Sequence, residues 1–196
     1  MDCQRVEIAS GADRDKTIQT ITLGFLGDPV ARWMWPDAKT YLDTMPAFVA
    51  AFAGKAFETR SAYIADDGKA AALWLPPDVE PDGDALEALF ARTIAPEILD
   101  DLTAVFEQMA AFHPHDEPCW YLPMIAADPG FVGRGLGAAI LKQALRRCDA
   151  DSLIAYLESS NPRNMSLYER HGFEAIGRIQ AGSSPTLYPM IRRPMR

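Results

Sequence analysis

The segment of this chain best suited to chemistry is Gly133-Arg134-Gly135-Leu136-Gly137. It follows an apolar run, Trp120 to Ala127, and opens an amphipathic stretch, Gly135 to Arg147. In that stretch Leu136, Ile140, Leu141, Ala144 and Leu145 share one side, as on a helix. Three glycines at alternate positions remove the Cβ atoms that would hold a ligand off the backbone. The first amides of a helix have no intrahelical partners, and with the helix dipole they suit a diphosphate. Arg134 adds a mobile cation, although the same glycines would also serve a plain tight turn. A P-loop is excluded, because Gly137-Ala138-Ala139 lacks the Gly-Lys-Ser/Thr ending. A dinucleotide fingerprint survives only as Gly133-x-Gly135-x-x-Ala138, with Glu158 roughly where its acid belongs.

Other residues are chemically suggestive and also have plain structural readings. Glu158 ends a strand facing the expected cleft, where a carboxylate could take a proton from an ammonium group, or it is a surface glutamate. Asn161-Pro162 reads as a helix cap followed by proline at the first helical position, and Asn164 is a second capping candidate. His113, His115, Asp116 and Glu117 resemble a metal site but lack a third spaced ligand, so no metal is expected. They could instead line a pocket or supply a second base. Trp33, Trp35 and Pro36 fall in an expected loop, either as core or as a surface for an apolar or cationic group. Arg146-Arg147 and Arg192-Arg193 read as solvated faces or complements to helix ends, with one available for a phosphate.

These residues need a scaffold, and the pattern supplies one. Arg5 to Ala9 reads as a strand, and Asp13 to Leu26 as a helix stopped by Gly27-Asp28-Pro29. Tyr41 to Phe57 is a second helix, with Pro46 near its first turn or kinking it. Thr59 to Ala65 and Ala70 to Leu75 are strands joined by the turn Asp66-Asp67-Gly68-Lys69. Asp84 to Phe112 is helical and broken at Pro96. Trp120 to Ala127 is a strand buried on both faces, interrupted by Pro123. Strand Ser152 to Leu157, helix Asn164 to His171, strand Phe173 to Ile179 and a last strand at Thr186 to Ile191 complete the order. Helices, a hairpin and then alternating strands and helices imply one α/β domain with a mixed sheet.

Composition narrows the class. The chain has 196 residues, 48% hydrophobic and 23% charged, with no apolar run of membrane-spanning length. Met1 to Ser10 lacks the apolar core of a signal peptide, so a cytoplasmic protein is expected. Cys3, Cys119 and Cys148 are far apart and odd in number, which argues for reduced thiols and against a disulfide scaffold or structural zinc. A net charge of -8 argues against nucleic acid as a partner. It also means that an anionic ligand must be held by local dipoles and a few cations.

Two ordered segments resemble the GNAT superfamily of acetyl-CoA-dependent N-acyltransferases. The family's central motif, V-x-P followed by Q/R-x-x-G-x-G/A, is similar to Ala127-Asp128-Pro129 and then Val132 to Ala138. Its second segment, N-x-x-x-x-x-L-Y-x-x-x-G-F, is similar to Asn161 to Phe173. The likeness covers Trp120 to about Gln180, and the N-terminal half resembles the family only in element order. One departure is Val132, which keeps an amide but loses the family's Gln or Arg side chain.

The resemblance implies a single domain over 1–196. Residues 1–117 would form the acceptor side, 118–180 the acetyl-CoA core, and 181–196 the last strand and tail. It implies a mixed, mostly antiparallel sheet of six to seven strands with a splayed central parallel pair. Pantetheine would lie as a pseudo-strand beside Trp120 to Ala127, with amides near Met124, Ile125 and Ala126 polarising the thioester carbonyl. Val132, Gly133, Arg134, Gly135, Leu136, Gly137 and Ala138 would hold the diphosphate. Asn161, and Asn164 beside it, would contact the cofactor, and Tyr168 would protonate the departing thiolate.

The expected reaction is direct attack of a small-molecule or peptide amine, a cationic one suiting the acidic chain. No covalent enzyme intermediate is expected, since Cys119 and Cys148 have no evident partner base in the sequence. Dimers are common in the family. The rival readings are a non-catalytic acyl-CoA-binding module on the same fold and a dinucleotide-dependent oxidoreductase.

Overall fold

The computed structural model describes residues 4–195, so Cys3 lies outside the described residues. The chain opens with β1 (Val6–Ile8) and a 3-10 turn at Gly11–Asp13 that runs into α1 (Arg14–Gly24). Then come α2 (Pro29–Met34), α3 (Ala38–Ala53), α4 (Lys55–Glu58), β2 (Ala62–Ala65) and β3 (Ala70–Leu75). Next are α5 (Gly83–Thr93), α6 (Pro96–Phe112), β4 (Cys119–Ala127), α7 (Leu136–Asp151) and β5 (Ile154–Ser159). The described chain closes with α8 (Met165–Glu169), β6 (Glu174–Ala175) and β7 (Tyr188–Arg192).

The seven strands form one sheet in the order β1-β2-β3-β4-β5-β7-β6. Only β4 and β5 run parallel; the other pairs are antiparallel. This is the mixed, mostly antiparallel sheet that the sequence implies. It also removes the structural basis of the dinucleotide reading, which needs a doubly wound parallel sheet. Side chains alternate across the central strands. Leu73, Leu75, Tyr121 and Tyr156 face a core shared with α1, α3 and α6. Trp74, Trp120, Leu122 and Leu157 face a second core under α7 and α8.

Four expectations need correction. Gly27-Asp28-Pro29 does end the first helix, but it also starts α2. The Asp28 carboxylate accepts from the amides of Val30 and Ala31, and Pro29 takes the first helical position. Trp33 is therefore helical rather than in a loop, and Trp35 packs edge-on against Phe48 in the core. α3 starts at Ala38, three residues earlier than expected, because Asp37 caps it, so Pro46 falls in the helix interior rather than near the first turn. The strand expected at Phe173 to Ile179 shrinks to β6 and one bridge, Ile179 with Leu187.

Arg192 is the fourth correction. It is buried rather than solvated, makes a two-pronged pair with Asp149 at 2.8 and 3.0 Å, and donates to the His171 carbonyl. Arg192→Met keeps the stem but leaves Asp149 without its cation. We expect a loss of about 2 kcal/mol, read as a fall in Tm of roughly 4–8 °C by calorimetry.

Candidate active site

The turn between β4 and α7 is built by local rules. Asp128 accepts from the Gly130 amide at 2.7 Å, which folds Pro129–Phe131 into a 3-10 turn. Gly133 and Gly135 then adopt φ of 80° and 78°, a region where a side chain would be strained. Gly135 is the N-cap of α7, and among the described residues no side chain caps that helix end. Its first amides are left facing out of the turn. Space in front of Gly133 is open for at least 4 Å. Gln4 donates to the Arg134 carbonyl, so β1 braces the turn from behind.

Two cations stand at this turn. The Arg134 guanidinium lies 4.9 Å from the Phe131 ring centre, and the Lys69 ammonium lies 5.1 Å from it. Lys69 was legible only as part of a hairpin. The bond from the Asp128 amide to its carbonyl is what carries it to the site. Val132 is exposed, consistent with a backbone role at that position.

β4 and β5 pair only at Cys119–Ile154, Trp120–Ala155 and Tyr121–Tyr156. Beyond that point β4 stays with β3 as far as Ala127–Ala70, and β5 stays with β7 as far as Ser159–Tyr188. The two strands therefore part, leaving an edge of β4 from Leu122 to Ala127 without a strand neighbour. The split begins at a bulge, where Tyr121 pairs with Leu75 but Met124 pairs with Leu73. Pro123, which has no N–H, is accommodated in that irregularity.

A cavity of about 90 Å³ lies at the split, lined by Leu122, Met124, Ile125, Glu158, Asn164 and Tyr168 among others. Ala126, Ala127 and the glycine turn are not part of its wall. Tyr168 is 6% exposed and packs edge-on against Phe173. Burial, with Asp28 nearby, pushes its phenol well above the ordinary range, so it keeps its proton. Asn161 is the cap that its sequence suggested: its side chain accepts from the Arg163 amide at 3.1 Å.

Glu158 follows Tyr156 on β5 and shares its face of the sheet. It keeps some surface because it faces cavity space, yet protein atoms surround it densely. Burial pushes its carboxyl up to about 7, and the Tyr121 and Tyr156 phenols moderate the rise. The Tyr156 hydroxyl itself is buried without a hydrogen-bond partner of regular geometry.

On its other side Glu158 borders an open groove of about 870 Å³. Asp78, Glu80, Asp116 and Glu117 line this groove with it, and no Lys or Arg does among the described residues. His113 and His115 are here too. His113 stacks edge-on against Tyr121 and Tyr156, and its Nε2 lies 3.5 Å from the Cys119 sulfur. Cys119 thus has a neighbouring base that the sequence did not reveal. Burial and the nearby Glu158 and Glu117 nevertheless push its thiol up to about 11, and burial lowers His113. That pair is a neutral thiol beside a neutral imidazole, not an activated nucleophile.

Asp28 and Ser160 also line the cavity and were missed. Asp28 is 7% exposed and accepts from the Ser160 hydroxyl as well as from its own helix. Burial raises its pKa. The sequence showed Asp28 only as a turn residue, and nothing in it pointed to Ser160.

Comparison with known proteins agrees with this arrangement. Residues 103–173, from within α6 through α8 to Phe173, match the Acetyltransferase (GNAT) family. An uncharacterized N-acetyltransferase of Schizosaccharomyces pombe is 30% identical over 82 residues, which is 40% of this chain and 33% of that protein's length. The crystal structure of histone acetyltransferase HPA2 and related acetyltransferase from Corynebacterium glutamicum is similar with a TM-score of 0.69 at 24% identity, covering 98% of this chain and 97% of that one. Drosophila melanogaster polyamine N acetyltransferase, which catalyses formation of N acetylagmatine, gives a TM-score of 0.68 at 16% identity, covering 97% and 100%. With the strand split, the glycine turn and the matched segment together, the chain is similar to the GNAT family over residues 103–173 and shares the fold of these acetyltransferases along its length.

Proposed function

We propose that this protein transfers an acetyl group from acetyl-CoA to a cationic amine by direct attack. The observation that carries the proposal is the split between β4 and β5, which runs into a glycine turn with uncapped helix amides. A strand edge left free in mid-sheet offers main-chain groups to an extended polar arm. Beyond it, the amides at the start of α7, with Arg134 and Lys69, suit a diphosphate even in a chain of net charge -8. The residues present therefore fit coenzyme A.

In this reading the amine approaches through the acidic groove and loses a proton to Glu158, whose raised pKa matches a general base near neutrality. The nitrogen lone pair forms the new C–N bond, the C–S bond breaks, Tyr168 donates its proton to the departing sulfur, and the nitrogen, left with one proton too many, gives it up to restore the Tyr168 phenol. Of the amides of Met124, Ile125 and Ala126, which alternate between the two edges of β4, those not bonded to β3 are the donors available to the carbonyl oxygen. Asn161 serves mainly as a cap, while Asn164 lies closer to the reaction. Most of the rate gain would come from positioning two reactants and polarising one carbonyl. The Cys119 thiol, held protonated, supports transfer without an acyl-enzyme.

The first test is binding. CoA and acetyl-CoA should raise Tm by mass action, and NAD(H) should not. A panel of mono-, di- and polyamines with acetyl-CoA then reads turnover. CoA binding without turnover on any amine would favour a non-catalytic acyl-CoA module. Tyr168→Phe should bind CoA normally, because the ring stays packed on Phe173, yet lower kcat by about 100-fold. Unchanged kcat in this variant would remove Tyr168 from the role of acid.

A further inference from the structure

The cavity at the strand split is also walled by apolar side chains of α2, α3 and α6, which form an apolar chamber. One end carries Ser160, Asn164, Tyr168 and Glu158; the other is walled by Ala31, Met34, Met45, Phe48, Leu102 and Val105. Close-packed interiors hold few voids larger than a water molecule. At about 90 Å³ this one is larger than a single water molecule needs. Its walls are apolar except where they meet the split, so its polarity runs from a carbonyl-sized polar end to an alkyl-sized apolar one.

We infer that this chamber is an acyl pocket, and that the protein accepts propionyl and butyryl donors as well as acetyl. The inference rests on the acyltransferase reading above. The acyl group is tied covalently to the sulfur that would lie at the split, so the void adjoining the split is the first space its chain meets. The acceptor has a much wider route, the groove of about 870 Å³ that meets the chamber at Phe52, Phe106, Met109, Tyr121 and Glu158. That route is lined with carboxylates, whereas most of the chamber wall is apolar, its carboxylates being Asp28, which accepts from Ser160, and the shared Glu158. A charged amine and an alkyl chain are thereby sorted into different spaces. Met34 and Met45 give the walls some adaptability, since methionine fills irregular gaps and repacks readily.

The test is calorimetric titration of the full chain with CoA, acetyl-CoA, propionyl-CoA and butyryl-CoA. Each methylene that enters the chamber should tighten binding about fourfold, making butyryl-CoA on the order of tenfold tighter than acetyl-CoA. Ala31→Leu, which fills the chamber from α2, should abolish this gain while leaving CoA itself unaffected. Met45→Ala, which enlarges the chamber, should shift the preference to hexanoyl-CoA, and it serves if Ala31→Leu does not fold. Equal affinities from acetyl to butyryl, with CoA bound, would overturn the inference and leave the acyltransferase reading standing. So would an Ala31→Leu protein whose acyl series is unchanged but whose KM for the amine rises, because the chamber would then belong to the acceptor. No binding of CoA at all would overturn both.

Discussion

Glu158→Gln should lower kcat/KM by about 100- to 1000-fold and remove a limb from the pH–rate profile. Burial holds the native carboxyl at about 7, so only above that pH is it free to accept a proton. Wild-type activity at saturating acetyl-CoA should therefore rise from pH 6 to pH 8, and the glutamine variant should lose that rise. The same substitution should act oppositely on stability. In the unfolded chain the carboxyl titrates at 4.5, and in the folded one at about 7. Between those values the folded state binds more protons, so folding stability falls as pH rises through the interval and stays lower above it. Glutamine escapes that cost. The variant should melt higher than wild type at pH 8, with the difference shrinking towards pH 5. A variant both slower and more stable is the signature of a destabilised functional group. One slower and less stable would mark Glu158 as structural.

Gly135→Val should weaken CoA binding by at least about 100-fold. Gly135 sits at φ of 78°, and a Cβ there would lie 3.2 Å from the Gln4 amide group. The substitution pushes the residue out of the left-handed region and turns the first amides of α7 away from their common focus. Losing two charge-assisted hydrogen bonds to a diphosphate accounts for a change of that size. A β-branched residue in this conformation should also cost about 1–2 kcal/mol of stability. Calorimetry with CoA and a thermal melt separate the two effects. Undiminished affinity would show that the turn is only a turn.

Much of this was legible in the sequence, for identifiable reasons. The hairpin at Asp66 to Lys69, the break at Pro96 and the turn at residues 133–137 are encoded by backbone-restricting residues, whose effects are local. The strand split and Glu158 were reachable through a family likeness and a strand-end position. What could not be read depends on contacts distant in sequence. Lys69 reaches the glycine turn because β3 pairs with β4. Asp28 meets Ser160 across 132 positions, and His113 meets Cys119 only because the chain doubles back after α6. The expectation that Cys119 lacks a base failed for that reason, though the conclusion that it is a poor nucleophile is supported by its burial. Arg192 was misread because composition describes a charge without its partner, and Asp149 is 43 residues away. α2 was missed because six residues are too few to show a helical period.

The bulge at Leu122 and Pro123 has a wider implication. It shifts the alternation of β4 by one step, so Tyr121 and Met124, three positions apart, share a face. In the proposed reaction, a dislocation in the main chain, rather than any particular side chain, would therefore set the reacting carbonyl relative to Glu158. The surrounding walls are free to drift. On the proposed reading, substitutions in α2, α3 or α6 would change which molecules are accepted while the strand frame stays put, so new specificities would lie a few mutations apart.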